Sequence, residues 1–289
     1  MIEYPQQKQI PESYIRRKIN EFLFEDMPHG DKTAEGIYQG QHIIRGIIEA
    51  EEDMVVAGLN LIPFFFEKCD IDYFYRDGDF VKKNVIITSV KCDASELLRK
   101  ERVFLNLIQR MSGIASMTYK FAQIAKPYGV KILDTRKTTP GLRLFEKYAV
   151  CVGGGYNHRM DLSSGILIKD NHIRAAGSVT EAIERIKSFN FNLPIEIEVE
   201  NENQIEEALK SGVDGFLLDN MNRQETIAAV KLIRGYPGGE DLFIESSGGI
   251  NLDNLKKYVD TGINAISVGA LTHSVKAADI HIEFEEIKS

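Results

Sequence analysis

The chain is 289 residues long, 43% hydrophobic and 27% charged, with a formal charge of −8 and a pI near 5.4. Such a length buries one large core or two ordinary ones. The acidic balance excludes a general nucleic-acid binder, which needs a broad basic face to neutralise phosphates.

Three cysteines, Cys69, Cys92 and Cys151, stand far apart without CxxC spacing. They offer neither a disulfide framework nor a zinc site and read as reduced packing residues of a cytosolic protein. The amino-terminal MIEYPQQKQIPESY lacks an apolar leader core, and LNLIPFFF (Leu59 to Phe66) is too short to span a bilayer and contains Pro63. A cytoplasmic protein with no membrane association is therefore expected.

In chain order, Glu12 to Glu25 places Ile15, Ile19, Phe22 and Leu23 at helical spacing and predicts an amphipathic first helix. HGDKT (His29 to Thr33) follows as a loop, then HIIRGIIEAEE, VVAGL, IDYFY and VIITSVKC as strands. Strands grouped together predict an α+β amino-terminal domain. Ala94 to Met111 reads as a long helix that Ser112-Gly113 interrupts, with a second helix running to about Ala125, before Pro127 and Gly129.

From there strand-like VKILD, GILIKD, PIEIEVE, GFLLDN, LFIES and AISVG alternate with helical segments, NLDNLKKYV among them. Six strands in βα alternation, with no GxGxxG to open them, favour an incomplete parallel (β/α) barrel over a doubly wound sheet. The tail alternates Ile280, Ile282 and Phe284 with polar residues, as a strand returning to the antiparallel sheet does. The expectation is α/β: an α+β domain over residues 1–112, rejoined by 275–289, and a barrel over 113–274.

The chemistry gathers between Lys131 and Arg174, where eight basic residues face four acidic ones inside an acidic chain. That pattern suggests a pocket for a small polyanion. Catalytic groups of such barrels collect at the carboxyl ends of strands. Read in order, those ends carry Asp134 to Lys137, Lys169-Asp170, Glu198 to Glu200, Asp219-Asn220, Ser246 to Gly249, and Gly269.

Arg136, Lys137, His158, Arg159 and Lys169 can clamp carboxylates or phosphates. Each alone would read as a solvated loop charge; five on one rim do not. Period two puts Glu196, Glu198 and Glu200 of PIEIEVE on one face, pointing into the barrel if the aliphatic face lies under helices. Glu198 and Asp219 form an oxygen-ligand pair suited to magnesium. SSGG (Ser246 to Gly249) and Gly269 end the last two strands, where backbone N–H groups can take a phosphate. His158 reads as a positioning hydrogen-bonding group, His172 as structural, His273 as a phosphate neighbour, Cys151 as core, and Arg102 as a charge beside Glu101. Gly153 to Gly155 read as a turn that aims His158-Arg159.

Taken together, DTRKTTPGLRLFEKYAV, GGGYNHRMDLSSGILIKDNH, EIEVE, LLDN, ESSGGINLDN and ISVGALTHS resemble quinolinate phosphoribosyltransferase over nearly the whole chain. The resemblance implies an α/β amino-terminal domain, an incomplete barrel, and a homodimer or larger assembly of dimers. It implies magnesium and two substrates, quinolinate and phosphoribosyl pyrophosphate, yielding nicotinate mononucleotide, pyrophosphate and carbon dioxide. By motif, quinolinate lies against Arg136, His158, Arg159 and Lys169, with Arg102 reaching in from the partner subunit. Lys137 lies between quinolinate and the pyrophosphate. Glu198 and Asp219 lie at the ribose and metal, and Ser247, Gly248, Gly249 and Gly269 at the 5′-phosphate. Lys137, Lys169, Glu198 and Asp219 are the expected catalytic set.

The sequence departs from the family pattern at DMPHGDKT and at Asp161, which stands where glycine is more usual and would lower the positive potential at Arg159. Competing readings are a molybdenum-transport-associated relative on the same scaffold, a Schiff-base aldolase using Lys169, and a catalytically dead anion binder. The set of rim carboxylates argues against the last.

Overall fold

The structure, a computed structural model, describes residues 2–37 and 42–286. It divides into two compact units. One comprises Gln7–Tyr119, Gly141–Gly154 and Val275–Ser289; the other comprises Met1–Gln6, Lys120–Pro140 and Gly155–Ser274. The sequence places junctions at Ser112 and between residues 274 and 275.

In the first unit α1 (Glu12–Asp26) buries Ile15 and Ile19. HGDKT, expected as a loop, leads into α2 (Lys32–Ile37), because the Asp31 carboxylate accepts the backbone N–H groups of Thr33 and Ala34 at 3.0 and 3.1 Å. β1 (Ile43–Ala50) alternates half-buried and buried residues along its whole length. β2 (Met54–Val55) is much shorter than the VVAGL run predicts. LNLIPFFF becomes a 3₁₀ turn and α3 (Ile62–Phe65), with Phe65 and Phe66 each 5.5 Å from Phe104 between ring centroids. β3 (Asp70–Tyr73), β4 (Phe80–Val81) and β5 (Val85–Asp93) follow. The tail strand (Ile280–Glu286) pairs antiparallel with β1, setting Ile282 opposite Ile48, and the sheet order is tail strand, β1, β5, β3.

Two expectations fail here, both for tertiary reasons. Cys69 and Cys92 are disulfide-bonded, with Cα atoms 4.9 Å apart, and Cys151 lies outside that bond. The β3–β5 ladder sets Asp70 opposite Lys91, so one further step sets Cys69 opposite Cys92. α4 runs unbroken from Ala94 to Ala125, through Ser112-Gly113. Gly113 serves a crossing rather than a break: a Cβ there would lie 2.2 Å from the Lys276 carbonyl oxygen. α5 (Arg143–Val152) completes the unit.

The second unit is the barrel. Its strands are β6 (Lys131–Leu133), β7 (Ile166–Ile168), β8 (Ile195–Val199), β9 (Gly215–Asp219), β10 (Phe243–Ser247) and β11 (Ala265–Ser267). They form one parallel sheet in the order β6, β11, β10, β9, β8, β7. Consecutive strands β6 and β7 lie on opposite edges, so the barrel is open between them, and a single bridge joins Leu133 to Tyr156 on the β6 side. The helices are α6 (Asp170–Ala176), α7 (Val179–Phe189), α8 (Glu202–Ser211), α9 (Arg223–Arg234) and α10 (Ala270–His273).

Side-chain oxygens start three of them: Ser178 accepts from the Glu181 N–H, Asn201 from Gln204, and Asn222 from Gln224 and Glu225. NLDNLKKYV forms only a 3₁₀ turn at Leu255–Lys257. There the Asn251 side chain accepts the backbone N–H groups of Asp253 and Asn254 and competes with helix formation. No helix among the described residues is long and apolar enough to cross a membrane.

Gly113→Ala separates the two accounts of Ser112-Gly113. Helix propensity alone would stabilise it by about 1 kcal/mol, whereas overlap with backbone costs ~1–3 kcal/mol. A lower thermal midpoint is expected, and a raised one would contradict the crossing.

Candidate active site

Register stacks the barrel interior in layers. Residues two apart face inward, so Phe243, Glu245 and Ser247 climb β10 beside Gly215, Leu217 and Asp219 on β9. Glu196 and Glu198 climb β8 next to them. The lowest layer is apolar, with Ile2, Leu133, Phe243 and Ala265 in one buried cluster. Glu196 and Glu245 form the middle layer by converging on His158 Nε2, although register pairs Glu196 with Gly215 and Glu245 with Leu217. The top layer opens into a cleft of about 600 Å³ lined by Arg136, Lys137, Lys169, Glu198, Asp219 and Ser247 with their neighbours.

The cations come from the open edge. At the end of β6 the buried Asp134 carboxylate accepts the Asn157 side-chain amide at 2.6 Å and the His158 backbone N–H at 2.9 Å. This holds the Asn157–Arg159 segment across the gap. Arg159 is then anchored twice: its backbone N–H donates to His158 Nδ1 at 2.7 Å, and its guanidinium donates to the Gly165 carbonyl at 2.9 Å. Burial, and the Arg136 guanidinium beside it, pull the Arg159 guanidinium below its ordinary value. Asp161, the residue expected to dilute this charge, is held in its own turn by the Ser163 N–H and hydroxyl at 2.9 and 2.7 Å. The loop of Arg136 and Lys137 is shaped by the Lys137 N–H donating to Thr135 Oγ1 at 3.0 Å. It is tied to α10 by Thr272 Oγ1 donating to the Lys137 carbonyl at 2.8 Å.

His158 lies on the floor of the cleft, 4% exposed. Nδ1 is taken by Arg159, and Nε2 lies 3.2 Å from Glu196 Oε2 and 3.6 Å from Glu245 Oε2. Both carboxyls are fully buried, and Glu196 Oε1 has no hydrogen-bond partner among the described residues. Burial pushes the Glu245 carboxyl up to about 7; His158 opposes the rise and Glu196 adds to it.

Above them Lys169 pairs with Glu198. Asp219 accepts from the Asn220 side chain at 2.8 Å. His172 accepts the Lys169 N–H on Nδ1 at 3.0 Å, which gives it the structural role expected of it at the start of α6. Gly248 has φ of 94°, and a Cβ there would lie 2.1 Å from Asn220 Oδ1, so this turn admits glycine alone. Gly269 abuts His273 and Lys137, both 3.1 Å from where its Cβ would be.

The barrel therefore gathers Arg136, Lys137, His158, Arg159, Lys169, Glu198, Asp219, Ser247, Gly248 and Gly249 around one cleft. Gly269 lies against both Lys137 and His273. Arg102 belongs to the other compact unit, on α4, where its side chain is 62% exposed and 3.6 Å from Glu101. Sequence reasoning passed over Glu245, which the period-two step from Phe243 to Ser247 would have placed inside. It also passed over Tyr4, whose hydroxyl donates to Glu196 Oε2 at 3.1 Å and for which no local pattern speaks. A second cleft, of about 620 Å³, lies by β7, α6 and α7. Its lining is mainly aliphatic and aromatic and has no carboxylate, so it does not suit a metal-bound polyanion.

Residues 31–112 match the quinolinate phosphoribosyl transferase N-terminal domain and residues 114–283 the C-terminal domain. A Bacillus subtilis protein named probable nicotinate-nucleotide pyrophosphorylase (carboxylating) is 41% identical over 274 residues, covering 93% of each chain. The chloroplastic nicotinate-nucleotide pyrophosphorylase (carboxylating) of Arabidopsis thaliana is 38% identical, over 94% of this chain and 83% of that one. The solved structure of the nicotinate-nucleotide pyrophosphorylase of Francisella tularensis superposes with a TM-score of 0.91 at 33% identity, covering 98% of this chain and 100% of that one.

The floor carboxyls make a prediction about pH. A carboxyl raised from 4.5 to about 7 contributes stability that is full below the unfolded value and is lost as pH rises toward 7. Between about pH 5 and about pH 8, wild type should lose on the order of 3 kcal/mol more stability than Glu245→Gln. Thermal midpoints of the two proteins across that range measure it; parallel slopes would contradict the assignment.

Proposed function

The chain belongs to the quinolinate phosphoribosyl transferase family, and on that premise we propose how its rim divides the labour of the reaction. The protein transfers the phosphoribosyl group of phosphoribosyl pyrophosphate to quinolinate with loss of carbon dioxide, giving nicotinate mononucleotide and pyrophosphate for NAD biosynthesis. The observation that carries the assignment of roles is the single cleft in which Arg136, Arg159 and Lys169 face Glu198 and Asp219.

Quinolinate is a dianion. Arg136, Arg159 and Lys169 take its two carboxylates, with His158 beneath, and so aim the ring nitrogen at the ribose. Lys169 leaves Glu198 for a substrate carboxylate as quinolinate enters. Ser247, Gly248, Gly249 and Gly269 take the 5′-phosphate, with His273 beside it, where the backbone alone can approach closely.

Glu198 and Asp219 end adjacent strands and present hard oxygen donors to the cleft, a set that fits magnesium. When bound there, magnesium supplies positive charge to the departing pyrophosphate. Lys137 lies between the acceptor and that leaving group and adds to the same charge.

The ring nitrogen forms its bond to the anomeric carbon as the bond from that carbon to pyrophosphate oxygen breaks. The ribose gains oxocarbenium character in between, which the Glu198 and Asp219 carboxylates stabilise across the cleft. The nitrogen is now cationic. It stabilises the electron pair left on the neighbouring carbon when the adjacent carboxylate departs as carbon dioxide, and a proton then replaces that carboxylate. No electron sink from the protein is required. The aldolase reading loses support, since Lys169 Nζ is already engaged by Glu198.

We further propose that the protein acts as a homodimer or an assembly of dimers in which Arg102 completes the partner's site. Its guanidinium is exposed on a helix packed through Leu105 and Ile108, and two-fold symmetry would offer it to a second rim.

Two experiments test these readings. With magnesium, purified protein is expected to convert quinolinate but not nicotinate to nicotinate mononucleotide, since a rim with this many cations is excessive for a monoanion. Equal turnover of the two acids would overturn the acceptor assignment. Arg102→Ala and Lys169→Ala are each expected to be nearly inactive. A random mixture should recover about 25% of wild-type activity, because half the dimers are hybrids with one intact site. Hybrids verified by mass spectrometry without recovered activity would place Arg102 in its own subunit's site.

A further inference from the structure

Residues 2–6 lie outside both segments that match the family, yet they group with the barrel. Ile2 fills the apolar lowest layer with Leu133, Phe243 and Ala265. Gln6 grips the backbone of Asn157 from both sides: its amide donates to the Asn157 carbonyl at 3.1 Å, and its side-chain oxygen accepts the Asn157 N–H at 2.7 Å. Between these two fixed points stands Tyr4.

Tyr4 touches both anchors of Arg159. Its ring stacks on His158, with centroids 4.6 Å apart and planes 24° apart, and His158 Nδ1 holds the Arg159 N–H. The same ring packs on Gly165, where a Cβ would lie 2.5 Å from Tyr4 Cε1, and the Gly165 carbonyl holds the Arg159 guanidinium. Its hydroxyl then donates to Glu196 Oε2, the atom that faces His158 Nε2. A residue present only to fill space would need no hydroxyl. Burial, with Glu196 next to it, pushes the Tyr4 phenol well above its ordinary value, so the group remains a donor.

Building on the proposed function, we propose that Tyr4, with the Glu196–Glu245 pair beneath it, is a positioning residue of the quinolinate pocket. The amino-terminal strap sets the orientation of His158 and Arg159, and through them the affinity for the acceptor acid, without touching substrate. The donor side of the cleft, at Ser247 to Gly249 and Gly269, shares none of these contacts. Loss of Tyr4 should therefore act on one substrate only.

The test is steady-state kinetics with both substrates varied, on wild type, Tyr4→Phe and Tyr4→Ala. Leaving a buried acceptor without its hydrogen bond is worth about a tenfold change in an equilibrium constant. The KM for quinolinate should rise roughly tenfold in Tyr4→Phe and further in Tyr4→Ala. The KM for phosphoribosyl pyrophosphate should stay within about twofold of wild type in Tyr4→Phe, even though the lost hydrogen bond lowers the thermal midpoint. Tyr4→Phe keeps the ring and the stack, so it reads the hydroxyl even if Tyr4→Ala fails to fold. An active wild type whose Tyr4→Phe variant is unchanged, or loses affinity for both substrates together, would overturn this inference alone. A wild type that does not consume quinolinate would overturn the functional reading as well.

Discussion

Two carboxyl groups inside a barrel set the terms for everything above them. Glu196 and Glu245 are fully buried, and His158 Nε2 faces both. Ionised carboxylates so placed would be strongly destabilising without compensation. Three things supply it: Glu245 keeps its proton to about pH 7, Tyr4 donates to Glu196, and His158 turns Nε2 toward the pair. With Nε2 committed downward, Nδ1 is left to hold Arg159. The floor thereby organises the rim.

On the rim the two kinds of charge have separate origins. Carboxylates stand on the strands themselves, where register places Glu198 and Asp219 on neighbouring strand ends. Cations such as Arg136, Lys137 and Arg159 stand on the segments flanking the open edge, held by Asp134 and Thr272. An open edge is thus of use: a closed barrel would have no gap for Asn157 to Arg159 to cross. In the proposed assignment, positive charge for a dianionic acceptor and a leaving pyrophosphate faces negative charge for an oxocarbenium ribose across one cleft.

Much of this was legible in the sequence because period two survives folding. In PIEIEVE the alternation, with the aliphatic face under helices, put Glu196, Glu198 and Glu200 inward. Glu196 and Glu198 lie there, whereas Glu200 is exposed past the end of β8. The βα alternation named the strand ends on which Lys169 and Asp219 sit. The returning tail strand was equally plain, since Ile280, Ile282 and Phe284 alternate as a half-buried strand must. What escaped depended on contacts distant in sequence. Gly113 looks like a helix break until the Lys276 backbone is seen against it. Cys69 and Cys92 pair through a strand register that a separation of 23 residues does not reveal. Tyr4 sits in a stretch without periodicity, and its partners Glu196 and His158 lie more than 150 residues on. Asn251 shows the opposite case, a local side chain defeating a helical pattern that was read from apolar spacing.

The central claim is that this rim transfers a phosphoribosyl group to a dianionic ring and then releases the carboxylate next to the reacting nitrogen. The most direct measurement follows isotopic carbon placed separately in the two carboxylates of quinolinate, with magnesium and phosphoribosyl pyrophosphate present. The account predicts that label from the carboxylate adjacent to the nitrogen appears as carbon dioxide in step with pyrophosphate, while the other label stays in the nucleotide. Pyrophosphate release without labelled carbon dioxide, or loss of the distal label, would contradict it.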